Sequence, residues 1–231
     1  MINPKDVLVD VIALSKKRCK TPIQGLLAYA TKENFLGRVV NGYKPEAAQV
    51  CLLAEKAAAS VCDVHNQLLT HDVGLFIFDA YRPLRAVQDF AAWFREMPAN
   101  SYEVERKELH YPRLEKTDLV RLGYAPDTIS RHCFGSAVDV SIISLKTGKL
   151  LNMGAIFDYF DEISHLETAP EVIGKEAYDN RKLLVNAMQQ CGFNPYPVEY
   201  WHYDYAEQEV ELPMDIEIEL SLEGLGTYAE R

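Results

Sequence analysis

Apolar positions along the chain fall into runs of different period, and the breaks between runs outline the elements. EAAQVCLLAEKAAASVCDVHNQLL (46–69) follows Pro45 and is rich in alanine, leucine, lysine and glutamate. It predicts one long helix opening at Pro45, with Gly74 as its stop. LFIFD (75–79) is a short continuous apolar run, the signature of a buried strand. Pro83 can open the next helix, LRAVQDFAAWFREM, in which Val87, Phe90, Ala91 and Phe94 recur at helical spacing. Before these elements, the first forty residues read as loop-rich, broken by Pro4, Pro22, Gly25 and Gly37. After them, residues 98–131 read as irregular and polar, with Pro98, Pro112, Gly123 and Pro126.

The second half is more regular. SAVDVSII (136–143) is β-branched and predicts a strand, and KTGK (146–149) a hairpin turn leading into LLNMG. EAYDNRKLLVNAMQQC (176–191) predicts a helix ended by Gly192. VEYWHYDY (198–205) is aromatic and strand-like. The acidic tail from Glu207, including DIEIELSLEG, reads as an edge strand or a solvated extension. Strands and helices do not alternate regularly. The expected class is therefore α+β, a single domain over residues 1–231 with a central antiparallel or mixed sheet and flanking helices. Residues from about 206 to 231 form a C-terminal extension of open role.

Composition narrows the function classes. The 231 residues carry a net charge of −10, which repels polyanions and argues against nucleic acid as a partner. No apolar run approaches the roughly 20 residues that span a bilayer, and the N-terminus lacks a basic region followed by an apolar one. The expectation is a cytoplasmic protein without a membrane partner. Five cysteines without paired spacing argue against a disulfide framework and against a thiolate zinc site. Cys133 beside a candidate ligand raises a nucleophile reading, set against the usual behaviour of buried cysteine as a small apolar residue.

A catalytic zinc takes three protein ligands and keeps one position open. In SRHCFGSAVDVS, His132 and Asp139 are seven apart, with Gly135 allowing a tight turn between them. His202 is the best third candidate, and Glu199 three residues before it is placed to act as a base. In a regular strand, residues three apart face opposite sides, so the two share a site only if the segment turns near Tyr200. Spacing alone leaves a plainer alternative standing: His132 capping a turn, Asp139 on the surface, His202 packed among aromatics.

FDAYRP (78–83), SRHCFGSAVDVS (130–141) and VEYWHYDY (198–205) occur in the order found in zinc-dependent D-alanyl-D-alanine dipeptidases, and the chain resembles that family. YATKENFLGRVVNGY (29–43) and LNMGAIFDYFDEISH (151–165) extend the resemblance, which runs from about residue 29 to 205. It implies hydrolysis of the dipeptide D-alanyl-D-alanine with one zinc ion per chain, held by His132, Asp139 and His202, and Glu199 as general acid and base. It further implies Arg82 as the cation facing the oxyanion, Asp158 with Tyr29 as the receptor of the substrate ammonium, and Ser130 lining the pocket. Two departures stand out: Tyr200 where the family usually has tryptophan, and no clear match beyond 205. The nearest rivals are a murein carboxypeptidase or endopeptidase and a non-catalytic binding module. Assembly into a homo-oligomer and the biological role, whether resistance, recycling or wall remodelling, stay open.

Overall fold

The computed structural model describes residues 7–96, 101–126 and 128–218. It opens with β1 (Leu8–Asp10) and α1 (Val11–Arg18), followed by β2 (Gln24–Gly25) and β3 (Leu52–Ala54). Next come α2 (Glu55–Leu68), β4 (Val73–Asp79), α3 (Leu84–Trp93), α4 (Ser101–His110), α5 (Lys116–Arg121) and β5 (Ala137–Ser144). The last elements among the described residues are α6 (Pro170–Ile173), α7 (Lys175–Gln190), β6 (Phe193–Pro195) and β7 (His202–Tyr205). Five strands form a mixed sheet in the order β2-β4-β5-β7-β6, and β1 pairs with β3 in a small antiparallel sheet. Only β2 and β4 run parallel; the other pairs of the large sheet are antiparallel. The class is α+β, as the pattern predicted.

β5 is the spine. All but its last residue are buried, as expected of a central strand covered on both faces. α2 packs by a stripe of Ala57, Ala58, Val61, Cys62, Val64, His65 and Leu68, spaced three and four apart. α1 starts at Asp10, whose carboxylate accepts the Ile12 amide at 3.0 Å and satisfies one free helix-end donor.

Several expectations are corrected. The long helix expected from Pro45 is three pieces: a 3₁₀ turn over Pro45–Ala47, the strand β3, and α2 from Glu55. Cys51 and Leu53 are wholly buried and the segment pairs with β1, so tertiary burial overrides its helical composition. Gly74 does not stop that helix. It lies in β4, where a Cβ would stand 2.7 Å from the His65 ring. That ring accepts the Leu75 amide through Nδ1 at 3.0 Å, and its Nε2 lies 3.0 Å from the Thr21 carbonyl. The first forty residues hold β1, α1 and β2 as well as loops, and the stretch 98–131 contains α4 and α5.

VEYWHYDY is a strand only from His202; a turn precedes it, with the His202 amide donating to the Glu199 carbonyl at 3.3 Å. Over its described part the tail is no edge strand and is solvated only in part: Glu207, Gln208, Glu211 and Leu212 are exposed, but two apolar residues anchor it. Met214 and Ile218 are buried, the Met214 amide donates to the Cys133 carbonyl at 2.8 Å, and the Ile216 amide to the Tyr81 hydroxyl at 2.7 Å. Among the described residues, no helix is long and apolar enough to cross a membrane.

Candidate active site and metal centre

Strand register assembles the centre. Asp139 sits opposite His202 across β5 and β7, and opposite Asp79 across β4 and β5 after a register shift between Ile77 and Asp79. Directly opposed residues of antiparallel strands share a face, so three side chains form a row across the sheet. His132 comes in from the 3₁₀ turn Arg131–Phe134 just before β5. Gly135 makes that turn possible: its φ is +64°, and a Cβ there would meet the Ala54 amide nitrogen at 2.9 Å.

The candidate ligand atoms of His132, Asp139 and His202 all lie within 4.8 Å of one another. Asp139 Oδ1 is 3.0 Å from His202 Nδ1 and 3.3 Å from His132 Nε2, and the two ring nitrogens are 3.2 Å apart. Outer partners fix which nitrogens face inward. His132 Nδ1 donates to the Ala80 carbonyl at 2.6 Å, leaving its Nε2 lone pair for the centre. His202 Nε2 lies 3.1 Å from Asp204, which likewise frees Nδ1. Three inward-facing acceptors, oriented from outside by a carbonyl and a carboxylate, form a donor set that suits a divalent cation such as zinc.

Electrostatics agree. Burial raises the Asp139 carboxyl, but His132 and His202 outweigh it and hold it well below the usual carboxylate range. Burial lowers His202, yet its bonds to Asp139 and Asp204 prevail and push it up to about 10. The centre favours positive charge.

The remaining predicted residues line the same cavity of about 270 Å³: Tyr29, Arg82, Ser130, Asp158 and Glu199 share it with Asp139 and His202. The turn at Tyr196–Glu199 carries Glu199 to the side of His202, resolving the opposed-face problem of a straight strand. Burial pushes the Glu199 carboxyl up to about 8; Asp139 and Asp204 add to this, while His202 and Arg82 oppose it. Arg82 is 5% exposed, with Nη2 3.4 Å from Asp139. Tyr29 and Phe90 lie under its guanidinium at 5.0 and 5.1 Å. Asp158 is buried, and the Tyr29 hydroxyl lies 3.1 and 3.2 Å from its two oxygens. Burial raises Asp158, and Asp139 and Glu199 add to it. A cation arriving there relieves that cost. The Ser130 hydroxyl also accepts the His132 amide at 3.3 Å. Cys133 is wholly buried and burial pushes its thiol up, so its environment suits a packed apolar residue.

Sequence reasoning missed the supports. Asp79 holds Arg82 Nε at 2.9 Å and accepts the Tyr43 hydroxyl at 2.7 Å. Its place in FDAYRP, three before Arg82, was the available signal. Asp204, two after His202 in a strand and so on one face with it, was legible in the same way. Arg181 gave no such signal. From α7 it donates to the carbonyls of Met153, His165 and Ile163 at 2.6, 2.9 and 2.9 Å, bracketing the loop that carries Asp158.

A family model described as D-ala-D-ala dipeptidase matches residues 17–217, beyond both limits of the resemblance read from the motifs. The chain is 37% identical over 182 residues to a D-alanyl-D-alanine dipeptidase of Enterococcus faecium, covering 76% of this chain and 82% of that one. It is 36% identical over 183 residues to one of Enterococcus faecalis, covering 78% and 84%. With one of Streptomyces coelicolor it shares 34% over 180 residues, again covering 78% and 84%.

Proposed function

The chain belongs to the D-ala-D-ala dipeptidase family and is a peptidase; from that premise we propose that it hydrolyses D-alanyl-D-alanine to two D-alanines at a single zinc site of His132, Asp139 and His202. The observation that carries this reading is one small cavity in which Asp139 and His202 of that donor set meet a carboxyl base, a fixed guanidinium and a buried carboxylate. The cavity lies below the range of typical small-molecule sites, roughly 300–1,000 Å³, which favours a dipeptide over a longer chain.

Zinc, when bound, supplies Lewis acidity to the site. Glu199 takes a proton from the attacking water and returns it to the leaving amine, a task suited to a carboxyl whose affinity for protons burial has raised. Arg82, held rigid by Asp79, stabilises the negative charge that appears on the carbonyl oxygen only in the transition state. Asp158 and Tyr29 receive the free ammonium, and Ser130 lines the wall. A substrate blocked at its amino end leaves Asp158 buried without a cation, which supplies the selectivity.

Removal of metal is the direct test. Protein dialysed against a chelator is expected to lose hydrolysis of D-alanyl-D-alanine and to regain it at one equivalent of zinc. Full turnover in metal-free protein would overturn the reading.

A further inference from the structure

Asp158 has a φ of 57°, left-handed backbone that non-glycine residues rarely adopt, and stays there only if its surroundings hold it. His110, the last residue of α4, supplies much of that hold. Its Nδ1 lies 3.0 Å from the Asp158 carbonyl oxygen, which can only accept, so Nδ1 carries the proton and donates. Its own carbonyl accepts the Phe160 amide at 2.7 Å. One residue thus grips both ends of the turn 158–160.

The ring is buried and lines the apolar groove behind the loop, alongside Ala155, Ile156 and Phe157, rather than the catalytic cavity. Burial lowers its pKa to about 4 against the opposing bond to the Asp158 carbonyl, with Arg106 reinforcing the fall and Glu33 opposing it, so the ring is neutral near pH 7. A neutral ring adds no charge to offset the Asp158 carboxylate. It fixes where that carboxylate points.

We propose that His110 is a positioning residue for ammonium recognition: by clamping the backbone of Asp158 it aims the carboxylate at the free amino end and so sets the preference for an unblocked dipeptide. This rests on the role given to Asp158 above.

The experiment measures kcat and KM on D-alanyl-D-alanine, and the ratio of its kcat/KM to that of N-acetyl-D-alanyl-D-alanine, for zinc-loaded protein. The variants are His110→Leu, His110→Asn and, as reference, Asp158→Asn. Loss of the clamp removes binding common to ground and transition states, so His110→Leu is expected to raise KM roughly tenfold with kcat held within about twofold. The preference for the free dipeptide should narrow. His110→Asn, whose side-chain amide can donate from the Nδ1 position, should recover most of both. Should the leucine variant not fold, His110→Gln carries the same expectation, because its donor sits one methylene further out.

The proposal is overturned if the leucine or glutamine variant keeps the wild-type KM and preference while Asp158→Asn raises KM. It is also overturned if His110→Asn is as impaired as the others, which would make the ring merely structural. An unchanged KM in Asp158→Asn would remove the ammonium reading itself, and the inference with it.

Discussion

Glu199 and His202 are three residues apart, and on a straight strand they would face opposite sides of the sheet. The turn that ends in the His202 amide bonding the Glu199 carbonyl brings both to one cavity. The need for this turn was legible from spacing, with Pro195 and Pro197 upstream as its signal. The outward bonds that orient His132 and His202 were not, because Ala80 contributes only a backbone carbonyl and any residue carries one. Two predictions belong at this scale. Glu199→Ala leaves the donor set intact, so it should retain one zinc by elemental analysis while turnover falls roughly 10²–10⁴-fold. Wild-type turnover in that variant would remove Glu199 from the chemistry. His132→Ala deletes a donor, and full-strength binding of one zinc in it would refute the ligand assignment.

At the scale of elements, the sequence read well wherever burial and local propensity agree, as in β4, β5 and α7. It misled where they conflict. Residues 45–54 are helical in composition, yet they supply a turn and a strand that pair and bury against β1. α4 and α5 were hidden by the prolines and glycines around them. The loop between β5 and α6 has little secondary structure of its own, and Arg181 holds it through three carbonyls while lying 4.6 Å from the Tyr200 ring. Tyr200 in turn donates its hydroxyl to the Ala155 carbonyl at 2.9 Å, a bond made at the position where the family pattern departs. A lysine cannot span three acceptors with one planar fork. Arg181→Lys is therefore expected to lower unfolding free energy in urea by about 1–3 kcal/mol and to raise KM. An unchanged denaturation midpoint would show that the loop is held by other means.

For the whole molecule, one component of the pH dependence follows from a histidine buried in neutral form. His110 binds its proton at about 4 when folded against an ordinary value of 6.5. The unfolded chain therefore binds more protons between those values. The stabilisation is fully present above 6.5 and is lost as pH falls toward 4, by roughly 3 kcal/mol in the limit. Glu199, raised to about 8, contributes with the opposite sign over the same range, so the loss is read as a difference in urea unfolding: the stability gap between wild type and His110→Asn should shrink by about this amount from pH 7 to 4. A gap that does not change with pH would assign the dependence to other groups. The net charge of −10 was legible from composition, but where charge is buried was not, since burial depends on the register of strands distant in sequence.

Together the metal centre, the base and the buried carboxylate make a peptidase for a free dipeptide. The decisive experiment is release of alanine from D-alanyl-D-alanine by the zinc-loaded protein, with N-acetyl-D-alanyl-D-alanine alongside. Rapid cleavage of the free dipeptide with little or none of the acetylated one is expected; comparable cleavage of both, or of neither, would refute that assignment.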